Sequence, residues 1–590
     1  MRRPVRSVLG VSPSVILCNM KFVFCLLFLV FSSFPTFAQW SSKLDKDVRF
    51  YQLTEIGIII AATEKSLYAI DGANGETLWH RKDIALDETD VALVPGTNLL
   101  LLSLEKGDKA RIEAVNVVNG NSIWRTDKIK GAVMQISVEP DQNLLAVVLA
   151  KDAKSRAREG FKRRPLVHVL NLGDGKELWK YEASEVEMMP ARWPEDSDKE
   201  VNYTFDNYYP PVFVGNRLYL FYEGVTSFDN RNGKERLREK YRVNEDGLAL
   251  TEAEPIFTES TIFVSAHGRV WAISRTTGDT EWEAKDLGLT PEMFLAGDVL
   301  YVRTGGQFTR LKDGDVVERG SYGVSAIDAL TGKVLWRYKG ADKGITNLLL
   351  PARNTIAIAD RDDLIFIDTN HGKRTLRVSH KIERASFGVL NERGDIVIGG
   401  QSEIAAFDAA SGRQLWRARY TPPGRGIFRT VAAIAARAAS LYFRYGGTAM
   451  TAVRGVQVAR AVTSLSWSGL ATRSSFSNLQ TLATASGRRN SDRGVRERIV
   501  DRVDPSRQLD RLSRYLWHRE RLATMSGQWM YFYTDLKTRD GNGLAGVNIN
   551  NGTTEREVRL PDIDERFMTD EVLGLMFTAS GNRLIAHRLR

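Results

Sequence analysis

The chain has 590 residues, 43% hydrophobic and 26% charged, with a formal net charge of +10; this is the composition of a globular protein with an ample core and excludes general disorder. Its only cysteines are Cys18 and Cys25, so a chain processed after residue 38 has no structural disulfide, zinc thiolate site or cysteine nucleophile. Such a length ordinarily divides into about three or four domains, but a closed repeat architecture absorbs most of it in one.

Residues 1–38 read as a signal peptide, with Lys21, the apolar run Phe22–Phe34 and small Ala38 before Gln39. The run is shorter than the roughly 20 residues a spanning helix needs, so no transmembrane helix is expected in the processed chain. Met1 and Met20 both fit as the start, and no Leu-x-x-Cys lipobox precedes Gln39. The expected location is periplasmic or secreted, without a lipid anchor.

From residue 39 a hairpin unit recurs. An Asp or Asn ends an apolar strand, Gly follows four residues later, and a large apolar residue follows four after that. The polar side chain bonds the turn backbone, and the Gly takes the positive φ that returns the chain antiparallel. Asp71/Gly75/Trp79, Asn116/Gly120/Trp124, Asn171/Gly175/Trp179, Asp229/Gly233/Leu237, Ser274/Gly278/Trp282, Asp328/Gly332/Trp336, Asp368/Gly372/Leu376 and Asp408/Gly412/Trp416 fit, and Asn548/Gly552/Arg556 fits loosely. A period of roughly 40 to 50 residues built of short strands indicates one four-stranded sheet per repeat, as in propeller blades.

The run A-x-D-x-x-T/N-G-x-x-x-W resembles the pyrroloquinoline-quinone (PQQ) enzyme repeat, over about residues 50 to 420 and more loosely 527 to 590. That family holds eight-bladed quinoprotein dehydrogenases and non-catalytic relatives such as the outer-membrane assembly lipoprotein. The resemblance implies an all-β, eight-bladed propeller of four-stranded antiparallel blades, each Trp docking on the next blade's turn. The expected division is a signal peptide at 1–38, blades over 39–420, an insertion over 421–526 and closing strands over 527–590.

Several stretches depart from the repeat. Lys151 to Arg164 reads as a solvated charged hairpin. Glu185 to Val212 is acidic, then aromatic; Tyr208 and Tyr209 are candidate partner anchors on an exposed rim, against the alternative of packing on the blade. Asp360, Asp362 and Asp363 lack the Gly and distal Glu of a calcium loop and read as a solvated turn.

Ala409 to Asn490 contains twelve Arg and no Asp, Glu or Lys. Of the net +10, four charges belong to residues 1–38 and twelve to this segment, leaving the rest at −6. Arg454, Arg460 and Arg473 are therefore candidates for contact with an anionic envelope surface, or for pairing with the acidic blades of the same chain. Asp504-Pro505 followed by Leu509, Leu512 and Leu516 predicts a helix over about 505–525, making the insertion small and partly helical.

No catalytic residue, histidine pair at metal-ligand spacing or phosphate-cradling loop stands out. The reading is an exported, non-catalytic scaffold with a protein partner, no nucleic acid and no cofactor. The alternative is a dehydrogenase of alcohols or sugars carrying PQQ and calcium.

Overall fold

The computed structural model describes residues 39–420 and 523–589, apart from short loop stretches of which 191–199 and 240–252 are the longest. Residues 1–38, the Arg-rich segment from residue 421 onward with Arg454, Arg460 and Arg473, and the expected helix up to residue 522 lie outside the described residues.

Ten antiparallel sheets follow one another: blade 1 (Phe50–Lys82), blade 2 (Val91–Lys130), blade 3 (Ala132–Glu182), blade 4 (Val212–Glu239), blade 5 (Ile256–Ala284), blade 6 (Glu292–Tyr338), blade 7 (Leu349–Ser379), blade 8 (Phe387–Arg419), blade 9 (Ala523–Arg559) and blade 10. Nine are four-stranded and blade 2 carries a fifth strand. Blade 10 takes three strands from Phe567–Arg588 and its outermost from Trp40–Lys43, with Trp40 paired to Ala586. Mixed clusters of buried side chains join nine of the ten neighbouring pairs, including blade 10 to blade 1 through Tyr51, Ile59, Leu575 and Phe577, and blades 8 and 9 meet through Trp416 on Gly552 and the stacked rings of Tyr420 and Phe532, so the ring closes. The propeller therefore has ten blades where the family resemblance implied eight.

The hairpin follows from its residues. Asp328 accepts from the backbone N–H of Leu330 and Thr331 and from the Thr331 hydroxyl, and the Gly332 N–H donates to the Asp328 carbonyl at 2.9 Å. The Thr331 hydroxyl, with those backbone donors, holds the carboxyl below its usual range. Each such turn shifts the register by one residue, which sets Trp79, Trp124, Trp282, Trp336 and Trp416 directly across from an Ala on the third strand. The small residue leaves space for the indole.

Each indole then lies on the following blade's glycine. Added Cβ atoms at Gly75, Gly120, Gly175, Gly233, Gly332, Gly372 and Gly552 would sit 2.4 to 2.8 Å from Trp40, Trp79, Trp124, Trp179, Trp282, Trp336 and Trp416. The first six of these tryptophans also donate Nε1–H to a carbonyl three residues before that glycine, at 2.6 to 3.0 Å. Between blades 7 and 8, Leu376 and Val378 press on Gly412 instead. Gly278 takes the same left-handed backbone, φ 87°.

The end of the expected helix is strand. Ala523–Ser526 forms the innermost strand of blade 9, paired to Trp529–Phe532, so the closing strands begin at 523 and not at 527.

Candidate interaction face

In every blade the chain runs from the innermost strand outward, which divides the connections between two faces. The first-to-second and third-to-fourth connections share one face, where Gly72 N–H meets the Gly57 carbonyl. We call this the turn face; its described connections are short turns. The second-to-third connections and the links between blades occupy the other, the loop face, where Ile84 N–H meets the Lys65 carbonyl and Tyr420 N–H that of Ser402.

All the large departures from the repeat are on the loop face. Two come together there. Lys154–Arg156 pairs with Glu200–Thr204, which also pairs with Met189–Pro190, and Lys162–Arg163 pairs with Val186–Glu187. The basic stretch read as a solvated hairpin and the acidic stretch read as a separate linker thus form one platform, with Arg156 opposite Glu200.

Its base is aromatic. Phe161 stacks on Tyr203 with centroids 3.9 Å apart, and the Arg163 guanidinium lies 4.2 Å over the Phe161 ring. Phe205, Tyr208 and Tyr222 pack beneath. Tyr208 and Tyr209 are 5% and 7% exposed, so neither is the exposed anchor that the sequence suggested. Blade 3 covers the stretch from below: the Gln135 amide donates to the Phe205 and Tyr208 carbonyls at 3.2 and 3.3 Å, Tyr222 donates to the Gln135 oxygen, and Ser137 donates to the Pro211 carbonyl at 2.6 Å. Burial pushes the Tyr222 phenol well above its usual range. Lys154, Lys162 and Arg164 remain exposed on the platform.

A second projection is the hairpin of Val299–Thr309 and Val316–Asp328 in blade 6, whose pairing continues to Thr309↔Val316, beyond the last pairs of the flanking strands at Glu292↔Arg303 and Val324↔Tyr338. Gly305 and Gly320 both take φ 81° at its bend, and a Cβ on Gly320 would meet Gly288 Cα of the adjoining linker at 2.8 Å. Tyr420 and Ala523, which flank residues 421–522, stand on this same face, since one follows the outermost strand of blade 8 and the other opens the innermost strand of blade 9.

Linkers between blades are clamped by arginines placed just after the docking tryptophans. Arg337 donates to the carbonyls of Lys285 and Asp286, both at 3.0 Å. Arg417 donates to those of His380, at 3.2 Å, and Lys381. The Asp read as a solvated turn, Asp360, is fully buried: Oδ1 accepts from the N–H groups of Asp362 and Asp363, and Oδ2 from that of Asp342.

The repeat residues Asp71, Gly75, Trp79, Gly120, Trp124, Gly175, Trp179, Gly278, Trp282, Asp328, Gly332, Trp336, Asp408, Gly412 and Trp416 lie in the third-to-fourth hairpins on the turn-face side. Among the described residues, no three His, Cys, Asp or Glu side chains are grouped to hold a metal ion. No helix among the described residues is long and apolar enough to cross a membrane.

A family model described as outer membrane protein assembly factor BamB matches residues 63–317 and 320–466, more than half of the chain. No curated protein matches. Solved structures similar to this chain include BamB from Moraxella catarrhalis, at 15% identity and a TM-score of 0.32 over 63% of this chain and 96% of that one. Others are the quinohemoprotein alcohol dehydrogenase of Comamonas testosteroni, at 12% identity and a TM-score of 0.29 over 77% and 92%, and a europium-containing methanol dehydrogenase, at 12% and 0.30 over 65% and 80%.

Proposed function

Because the chain belongs to the PQQ-like propeller family described by the assembly factor BamB, we propose that it is an exported, non-catalytic scaffold of the cell envelope that holds a protein partner on its loop face. One observation carries this reading: the platform and the blade 6 hairpin both rise from one face, while the described connections of the other are short turns. A ring that only had to close would need neither side elaborated. Loops on a rigid scaffold are where propellers place recognition. The Arg-rich segment, flanked on the same face, would add attraction toward an anionic envelope surface, an attraction that weakens as salt rises past about 0.15 M.

Photo-crosslinking residues at Lys162 on the loop face and at Leu330, 83% exposed on the turn face, test it in intact cells. Protein adducts are expected from position 162 and not from 330. Equal labelling from both, or none from either, overturns the reading.

The dehydrogenase alternative is tested on purified protein with PQQ and calcium. Dialysed samples are expected to keep no quinone absorbance and to reduce no dye; retention with dye reduction would establish the enzyme instead.

A further inference from the structure

The link between blades 7 and 8 contains a histidine whose two nitrogens are both committed. His380 is fully buried. Its Nε2 lies 3.1 Å from the Asp360 carbonyl, and its Nδ1 lies 3.0 Å from the backbone nitrogen of Ile382. A carbonyl only accepts and a backbone N–H only donates, so Nε2 carries the hydrogen and Nδ1 the lone pair. The imidazole is therefore neutral in one defined tautomer. We propose that this link is a proton-sensitive latch, closed while His380 is neutral and released by mild acid.

Protonation puts a hydrogen on Nδ1, directly opposite the Ile382 N–H, so an acceptor becomes a second donor. Neither ring nitrogen is hydrogen-bonded to a carboxylate. The charged groups around the ring are Asp360, Asp362, Asp363 and Arg377 of blade 7, Lys381 and Glu383 of the link, and Glu403, Arg417 and Arg419 of blade 8. Asp360 already accepts three backbone N–H groups and lies 3.8 Å from Arg377. Asp363 is bonded to Arg377 at 2.5 Å. Glu403 holds Arg417 and Arg419 and also accepts from the Glu383 N–H. Burial keeps the imidazole below its ordinary value, against the opposite pull of Asp360, Asp363 and Asp362. With a depressed folded value, the contribution is complete above the unfolded value of about 6.5 and declines as pH falls below it.

This junction is also one without an indole: Leu376 and Val378 take the place of tryptophan on Gly412. The loop-face link, held by the His380 ring and by Arg417 on the His380 and Lys381 carbonyls, therefore carries more of the junction than its counterparts do.

Amide exchange of the full chain, read by mass spectrometry at about pH 7.5 and 5.5 and corrected for intrinsic rates, tests the latch across the range where histidine titrates. Protection at Ile382 is expected to fall about tenfold at the lower pH, the response to losing a bond of about 1.4 kcal/mol. Gly131 is the internal control: its N–H donates to the Asp108 carbonyl at 2.7 Å in the blade 2 to 3 link, within a stretch that has no histidine between His80 and His168, and its protection should not change. His380→Asn keeps an acceptor for the N–H two residues on and cannot titrate, so it should abolish the pH effect at Ile382. Unchanged wild-type protection at Ile382, an equal loss at Gly131, or a pH effect that survives in H380N each overturns the proposal.

Discussion

Trp336→Ala is expected to lower the unfolding free energy by about 3 to 5 kcal/mol, the usual loss for a core aromatic. The indole is 9% exposed, donates to the Thr369 carbonyl at 2.7 Å and covers Gly372. Gly372→Ala attacks the same contact from the other side. Its Cβ would lie 2.4 Å from the indole, on a backbone at φ +66°. Overpacking costs about 1 to 3 kcal/mol, and the left-handed conformation adds about 1 to 2 for a residue with a Cβ. The double variant should be less damaged than the sum of the singles, because an alanine at 336 removes the clash and leaves only the backbone cost. Urea unfolding of the four proteins measures this, with a coupling of about 1 to 3 kcal/mol expected for groups in direct contact. Additivity within about 0.5 kcal/mol would mean that the two residues do not meet.

The repeat was legible because all its parts are local. Asp328, Gly332 and Trp336 lie within nine residues, and one turn geometry explains the three. Eight blades came from the family resemblance although nine copies of the turn stand in the sequence, and the tenth blade has no such turn: its third and fourth strands are the two ends of the described chain, Arg583–Arg588 and Trp40–Lys43. Trp40 was the available signal, a tryptophan beside Gln39 with no turn of its own that docks on Gly75 as the others dock on theirs. Tyr208 and Tyr209 misled for a related reason. An aromatic pair before Pro210 gives no register, and what covers the stretch, Gln135 and Ser137, comes from about seventy residues upstream. The platform was invisible for the same cause, since each of its halves alone is a charged or acidic loop and only their pairing makes a sheet. Asp360 was read as solvated because three nearby carboxylates suggest water; three backbone N–H groups take that role instead.

Glu113→Ala should cost about 3 kcal/mol, the lower end for breaking a buried ion pair by removing one partner. The carboxylate is fully buried between blades 1 and 2, with Arg81 at 2.9 Å from the first and Arg125 at 2.8 Å from the second. Its loss leaves two guanidiniums facing each other, but with 22% and 47% of their side chains exposed they retain some access to water, which keeps the cost from the upper end. Burial alone would raise the carboxyl's affinity for protons; hydrogen bonds from Arg125 and Arg81 outweigh it and hold the group below its ordinary value of 4.5. A depressed folded value means that this contribution is full above the unfolded value and lost as pH falls through the folded one. Glu113→Gln resembles the protonated acid, so the difference in melting temperature between wild type and E113Q should be largest near neutrality and shrink steadily below about pH 4.5. Other carboxylates titrate in both proteins and cancel in that difference. A gap that stays constant from neutral pH down to about pH 3 would show that the two arginines do not hold an ionised Glu113.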